Sequence, residues 1–366
     1  MIIPVARSSE STRKAVTLKM VAEAAGVSAS TVCHVLRGRA RQMRINPASE
    51  ERIRKSAQLL GYVGNHYARS LVTRTTATVG MTSSMGHTSF LGTPLWNQIV
   101  AGIEVQVRVR GFDLHLIGGG HDVDVLHLAY QELMAKRIDC LLIIPVIYPA
   151  IPPGLLKPGL PVVFIDQKSP RATAHVRLDH APGIEAAVMH LKSLGHRTIT
   201  WFSNHALPGS IMESRLVFLR QVLRREELGF EEVIVDGEIP NTQTTHDTLS
   251  DFYEATRRQY RPSLRTTAVL CFNDTLALIM LKVLSALGLD VPGDISVIGF
   301  DDLFAQFALP ALTTISHRLY EMGVAAVDLG LELAQGPGEG QKALRQVVLP
   351  STLVVRESTG PARGPR

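Results

Sequence analysis

Apolar and polar positions change rhythm once along this chain. Between Thr17 and Gly61 the apolar residues recur at helical spacing in short runs. Thr17 precedes Leu18-Lys19-Met20-Val21-Ala22-Glu23-Ala24-Ala25, and Val21, Ala22 and Ala25 fall on one face. That pattern predicts a short helix with Thr17 as its N-cap and Gly26 as its stop. Val27 is placed to plug the angle that follows. Ser28 then caps a second helix over Ala29–Arg37, with Val32, Val35 and Leu36 facing inward. Asn46-Pro47 opens a third, whose stripe is Ile53, Ala57 and Leu60 and whose stop is Gly61. From Ala77 the rhythm is different. Apolar strand runs at Ala77–Thr82, Phe112–Ile117, Asp139–Pro145, Pro161–Asp166, Thr198–Phe202, Glu232–Val235, Thr267–Phe272 and Ser296–Phe300 alternate with helical stretches near 95–110, 123–137, 182–194, 212–228, 246–259, 274–287 and 319–335. Such alternation predicts parallel α/β sheets, and about 280 residues of it exceed one sheet domain, so two similar lobes are expected.

Composition narrows the class. Hydrophobic residues make up 45% and charged residues 19% of the 366 positions, a globular rather than disordered balance. No apolar run is long enough to span a bilayer, and Met1 to Lys14 holds no apolar core of signal-peptide length, so a cytoplasmic, nucleoid-associated protein is expected. The three cysteines, Cys33, Cys140 and Cys271, show neither zinc spacing nor a disulfide framework. Charge is unevenly spread. Met1 to Thr76 carries thirteen Lys or Arg against four Asp or Glu, a surplus of nine, which leaves the remainder at −4 out of a total of +5. A basic head on an acidic body points to a polyanion as partner of the head alone.

Two short helices, a glycine turn and a buried aliphatic make a helix-turn-helix. The second helix would enter the major groove with Ala29, Ser30, Thr31 and His34 outward. In the body, Asp166, Asn273-Asp274 and Asp301-Asp302 each follow an apolar run, at strand ends where such sheets hold small polar ligands. Gly118-Gly119-Gly120 lacks the Lys-Ser/Thr of a phosphate loop. His115, His121, Asp122, Asp124 and His127 match no metal spacing, and Trp96 and Trp201 read as packing residues. No nucleophile grouping stands out, so no enzyme, cofactor or metal is expected.

The run Val16-Thr17-Leu18 through Val21-Ala22-Glu23-Ala24-Ala25-Gly26-Val27-Ser28-Ala29-Ser30-Thr31-Val32, followed by Leu60-Gly61-Tyr62, Asn65 and Ala68-Arg69-Ser70-Leu71, resembles the head of the lactose/galactose repressor family of bacterial transcription regulators. The body follows the same family in order, through Leu194-Gly195-His196-Arg197, Phe272-Asn273-Asp274, the stretch from Val291 to Asp302, and Pro310-Ala311-Leu312-Thr313-Thr314-Ile315. Arg356-Glu357-Ser358-Thr359 matches its closing strand. The resemblance implies an all-α three-helix helix-turn-helix head plus an α/β two-lobed, periplasmic-binding-protein-like (type I) core. The divisions expected are a tail over 1–15, the head over 16–63, a hinge helix over 64–76, the effector-binding and dimerisation body over 77–358, and a tail over 359–366. The implied function is a sequence-specific DNA-binding regulator, a repressor, working as a homodimer on double-stranded operator DNA. Its effector would be a sugar, with a purine or a partner protein as alternatives.

The residues expected at DNA are Thr17, Ser28, Ala29, Ser30, Thr31, His34, Arg37, Asn46, Tyr62, Asn65, Arg69 and Leu71, the last as a minor-groove wedge. Those expected at the effector are Arg215, Asn273 and Asp301, matched by position, with Asp166 and a stacking Phe90. The chain departs from the family pattern at Cys33, at Arg37 and at Gly64 in place of a hinge proline. Phe218 stands where a small residue is common and would narrow the cleft or change its preference. The loop Gly38–Arg44 is about three residues longer than usual, and its Arg39, Arg41 and Arg44 read as extra phosphate contacts.

Overall fold

The computed structural model describes residues 16–63, 75–83, 94–118, 124–144, 151–157, 159–166, 174–204, 211–236, 246–261, 265–336 and 345–363. The chain divides into two compact units, Met1–Thr76 and Ala77–Arg366.

The first unit holds α1 (Leu18–Ala25), α2 (Ala29–Leu36) and α3 (Pro47–Leu60). Each helix begins on the residue that the sequence marks. Thr17 Oγ1 accepts from Met20 N–H at 3.3 Å, Ser28 Oγ from Thr31 N–H at 3.1 Å, and Asn46 Oδ1 from Ala48 N–H at 2.9 Å. Gly26 and Gly61 stop α1 and α3 in the left-handed region, at φ 63° and 66°. Val21, Ala22, Ala25, Val32, Val35, Ala40, Ile53 and Ala57 form the core, with Val27 and Tyr62 packed on it. Leu36, expected inside, is exposed. Val32 and Val35 already take the inward face of α2, and Leu36 lies a further 100° round the helix.

Among the described residues, the second unit contains two six-stranded sheets. The first lobe is built on β1 (Thr78–Ser83), β2 (Asp113–Ile117), β3 (Cys140–Ile144), β4 (Val162–Ile165), β5 (Ala174–Asp179) and β11 (Arg345–Pro350), ordered β11-β5-β4-β3-β1-β2 and parallel throughout. The second is built on β6 (Thr198–Ser203), β7 (Gly229–Ile234), β8 (Ala268–Cys271), β9 (Ser296–Asp301), β10 (Thr313–Ser316) and β12 (Thr352–Val354), ordered β12-β10-β9-β8-β6-β7, with only β12 antiparallel. Helices α4 (Pro94–Val109), α5 (Val125–Met134) and α10 (Leu319–Ala334) pack on the first sheet. Helices α6 (Ala181–Ser193), α7 (Ile211–Arg225), α8 (His246–Gln259) and α9 (Asp274–Ala286) pack on the second. Trp96 and Trp201 are buried in the cores of the first and second lobe. Phe218 is half-buried and packs against the core of the second lobe.

Strands β5, β10, β11 and β12 were not marked by apolar runs. His175 and Arg177 interrupt β5, and β11 alternates half-buried with exposed positions as an edge strand does. The expected closing strand at Arg356–Thr359 is not a strand. Glu357 and Ser358 form a turn, held because Ser358 Oγ donates to Val297 O at 2.6 Å and accepts from Thr313 N–H at 2.8 Å.

The chain crosses between the lobes at Asp179–Ala181, Ser316–Leu319 and Pro350–Thr352. Ser351 ties two of these crossings. Its Oγ donates to Asp179 O at 2.8 Å and accepts from Gly183 N–H at 3.1 Å. A Cβ at Gly183 would collide with Ile315 of β10, so glycine lets the crossings approach.

Candidate functional site

In the head, α2 presents its N-terminal side chains outward. Ala29 and Ser30 are exposed, Thr31 and His34 half-buried, and Arg37 is the half-buried C-cap. Thr31 Oγ1 lies 2.8 Å from Ser28 Oγ, so the two hydroxyls share a hydrogen bond at the start of the helix. Thr17, Ser28 and Asn46 spend their side-chain oxygens on caps, which fixes where each helix begins. Arg52 Nε donates to Ala25 O at 3.0 Å and ties α3 to the end of α1. Tyr62 packs against the core of the head. Asn65, Arg69 and Leu71 lie outside the described residues, as does Phe90. A rigid, basic three-helix unit with a short helix whose first turn is exposed has the form that docks in a major groove.

In the body, the strand ends bring charge together across the two lobes. Asp166 follows β4 of the first lobe and adopts φ 56°, while Asp301 closes β9 of the second at φ 107°. Arg215 projects from α7 and is 6% exposed. Its Nη1 donates to Phe272 O at 3.0 Å and its Nη2 to His317 Nε2 at 3.0 Å. The guanidinium lies 4.0 Å from the centroid of the Phe300 ring and 5.0 Å from that of Phe272. Because arginine only donates, His317 Nε2 accepts, which puts the ring proton on Nδ1. The 3.4 Å approach of that same Nε2 to Asp301 Oδ1 is therefore a contact between acceptors, not a hydrogen bond. Arg215 Nη2 is 3.7 Å from Asp301 Oδ1, an ion pair without a close hydrogen bond.

Burial dominates the protonation of the cluster. It pushes Asp301 up to about 7 although Arg215 pulls the other way. Asp166 rises to about 6, chiefly by burial, with Arg215 and a Leu178 backbone bond lowering it and Asp301 raising it. Arg215 and Asp301 of the second lobe are thus the charged groups whose fields reach Asp166 at the end of β4 in the first. Asp274 rises to about 7 by burial and by repulsion from Asp301, opposed by hydrogen bonds from Thr314 Oγ1 at 2.6 Å and Leu303 N–H at 2.9 Å. His317 is held well below its usual value, first by burial and then by Arg215. Asn273 caps α9, its Oδ1 accepting from Leu276 N–H at 2.9 Å, which leaves the amide Nδ2 as the group that can face a ligand.

Sequence reasoning missed His317, Phe300 and the Asp274–Thr314 pair. His317 follows β10 directly, so the strand-end rule that found Asp166 and Asp301 would have found it had β10 been recognised. Among the described residues, no group of three or more His, Cys, Asp or Glu could hold a metal ion, and no helix is long and apolar enough to cross a membrane.

Residues 17–65 match the model of bacterial regulatory proteins of the lacI family, and residues 188–359 match that of the periplasmic binding protein-like domain. The transcriptional regulator GalR of Escherichia coli (strain K12) is 30% identical over 323 residues, covering 87% of this chain and 89% of GalR. The crystal structure of the lac repressor dimer bound to operator and the anti-inducer ONPF superposes with a TM-score of 0.72 at 26% identity, covering 95% of this chain and all of that one. A complex of the transcriptional regulator CelR with cellobiose superposes with a TM-score of 0.60 at 25% identity, over 94% of this chain and 99% of that one. A head and a body that both match, joined in the same order and aligned over most of their length, place this chain in the lacI family of bacterial regulatory proteins.

Proposed function

We propose that the protein is a repressor of transcription whose affinity for operator DNA is set by a sugar bound between the lobes of its body. The observation that carries the reading is the Arg215–Asp301 ion pair at the strand ends of the second lobe, with Asp166 at the end of β4 in the first lobe under the charge of both, in a chain whose separate head presents a recognition helix. A guanidinium and two carboxyls each offer paired contacts suited to vicinal hydroxyls, and Asn273 Nδ2 adds a donor. The CelR complex with cellobiose supports a sugar in this body. A ligand that touches both strand ends favours one spacing of the lobes over another, and the three crossings carry that preference. Phe90, a proposed stacking partner, and the proposed hinge contacts Asn65, Arg69 and Leu71 complete the reading.

At DNA, Ser30 and His34 are the side chains that read base edges, while Ala29 offers an apolar contact to a thymine methyl. The lac repressor dimer on its operator supports a homodimer here, with two heads reading two half-sites of a near-palindrome in the cytoplasm. The test is selection of binding sites from random duplex DNA with the full-length protein, repeated with a panel of sugars and purines. A preferred two-fold site, whose affinity shifts with one sugar, is the expected result. Absence of preference for any duplex at moderate salt overturns the proposal, and a response to purines alone overturns its sugar.

A further inference from the structure

The segment between α2 and α3 is a structured turn rather than a loose basic loop. Gly38 turns the chain at φ 70°, and Ala40, 3% exposed, is seated in the core of the head. Ile45 N–H donates to Ala40 O at 2.9 Å and Met43 N–H to Arg39 O at 3.0 Å, which closes the turn. Arg39 N–H donates to His34 O at 2.9 Å, which fastens the turn to the last residues of α2. Arg39, Arg41 and Arg44 are all exposed, and Arg44 takes φ 51°, a backbone state unusual for a residue with a Cβ. No Asp or Glu occurs between Arg37 and Asn46. Among the described residues, none of these three arginines forms an ion pair, whereas Arg54 in the same head pairs with Glu50 at 2.7 Å. A helix of the length of α2 rises about 12 Å, which is about the width of the major groove. With Ala29 and Ser30 at base edges, the far end of α2 and the turn fastened to it therefore arrive at the sugar-phosphate wall.

We propose that the 38–44 turn is a phosphate clamp, in which Arg39, Arg41 and Arg44 grip the duplex backbone beside the groove that α2 reads. The proposal rests on the DNA-binding reading of the head and extends it to a contact that is blind to sequence. Phosphate contacts position a protein without specifying a site, so the clamp strengthens binding to operator and to unrelated duplex alike. Its signature is the salt dependence of affinity, because each phosphate neutralised contributes about 0.9 to the slope of log affinity against log salt.

The experiment compares the full-length protein with the triple variants Arg39→Ala/Arg41→Ala/Arg44→Ala and Arg39→Lys/Arg41→Lys/Arg44→Lys. The probes are a duplex carrying the site selected from random DNA and a scrambled duplex of equal length. With three phosphates gripped, the alanine variant loses up to about 2.7 in slope per head, so its affinity falls about 40-fold less per head between 50 and 200 mM salt. The loss is expected on both probes, and the lysine variant, which keeps the charge, restores the slope. An unchanged slope in an alanine variant that still prefers the selected site overturns the clamp and leaves the DNA-binding reading standing. A lysine variant as deficient as the alanine one overturns it too, since the fold of the turn rather than its charge would then matter. Failure of the unmodified protein to prefer any site removes the reading on which the clamp rests.

Discussion

Arg215→Met removes the charge of the buried guanidinium and keeps most of the volume of the side chain. The guanidinium lies 3.7 Å from Asp301, and its charge lowers the carboxyl values of both Asp301 and Asp166. Its loss also leaves Phe272 O and His317 Nε2 without their donor. Stripping one partner from a buried charge pair costs up to about 3–5 kcal/mol, the limit reached only where the carboxyls stay ionised in the variant, so near pH 8 the cost approaches this limit from below. The cost depends on pH with a definite sign. Asp301 at about 7 and Asp166 at about 6 already lie above their usual 3.8, so the folded state holds protons that the unfolded state releases. Stability from these groups is therefore greatest below pH 4 and is lost as pH rises through 6 and 7. Without Arg215 both values climb further, so the variant takes up more protons than the unmodified protein as pH falls from 8, and its deficit narrows on acidification to about pH 5.5. Urea unfolding followed through Trp201, buried in the same lobe, in a Trp96→Phe background, measures the difference. A cost below about 1 kcal/mol near pH 8, or an equal cost at both pH values, would falsify this account of the cluster.

Other consequences are local. Gly323→Ala in α10 drives a Cβ into the main-chain carbonyl of Ile99 in α4, where no rotamer change gives relief. Destabilisation of the first lobe by at least about 2 kcal/mol is expected in urea melts read from Trp96, and a neutral outcome would contradict the close helix approach. Ser351→Ala leaves the buried Gly183 N–H without its acceptor. It should cost about 1–3 kcal/mol and speed exchange of the Gly183 amide, and unaltered protection there would mean that the serine does not tie the crossings.

Caps and periodicity make the head legible from consecutive residues alone. Thr17, Ser28, Asn46, Gly26 and Gly61 work through bonds to residues at most four away, and such short-range chemistry is written in consecutive letters. The same holds for strands whose cores are uninterrupted, such as Cys140–Ile144 and Val162–Ile165. Strands β5 and β11 were not legible, because their mixed polarity makes sense only beside each other at the rim of a sheet. Leu36 misled for a related reason, since an apolar letter does not say which face its neighbours have already filled.

The site divides along the same line. Asp166, Asn273 and Asp301 announced themselves as polar residues ending apolar runs, a local pattern that needs no partner to be seen. That Asp166 feels the charge of Arg215 and Asp301, that His317 must accept from Arg215, and that Asn273 spends its oxygen on a helix cap were decided only by tertiary packing. The physical reason is range. Hydrogen bonds to the backbone nearby are set by sequence spacing, whereas burial, which raises three carboxyls toward neutrality, exists only once elements distant in sequence pack around them.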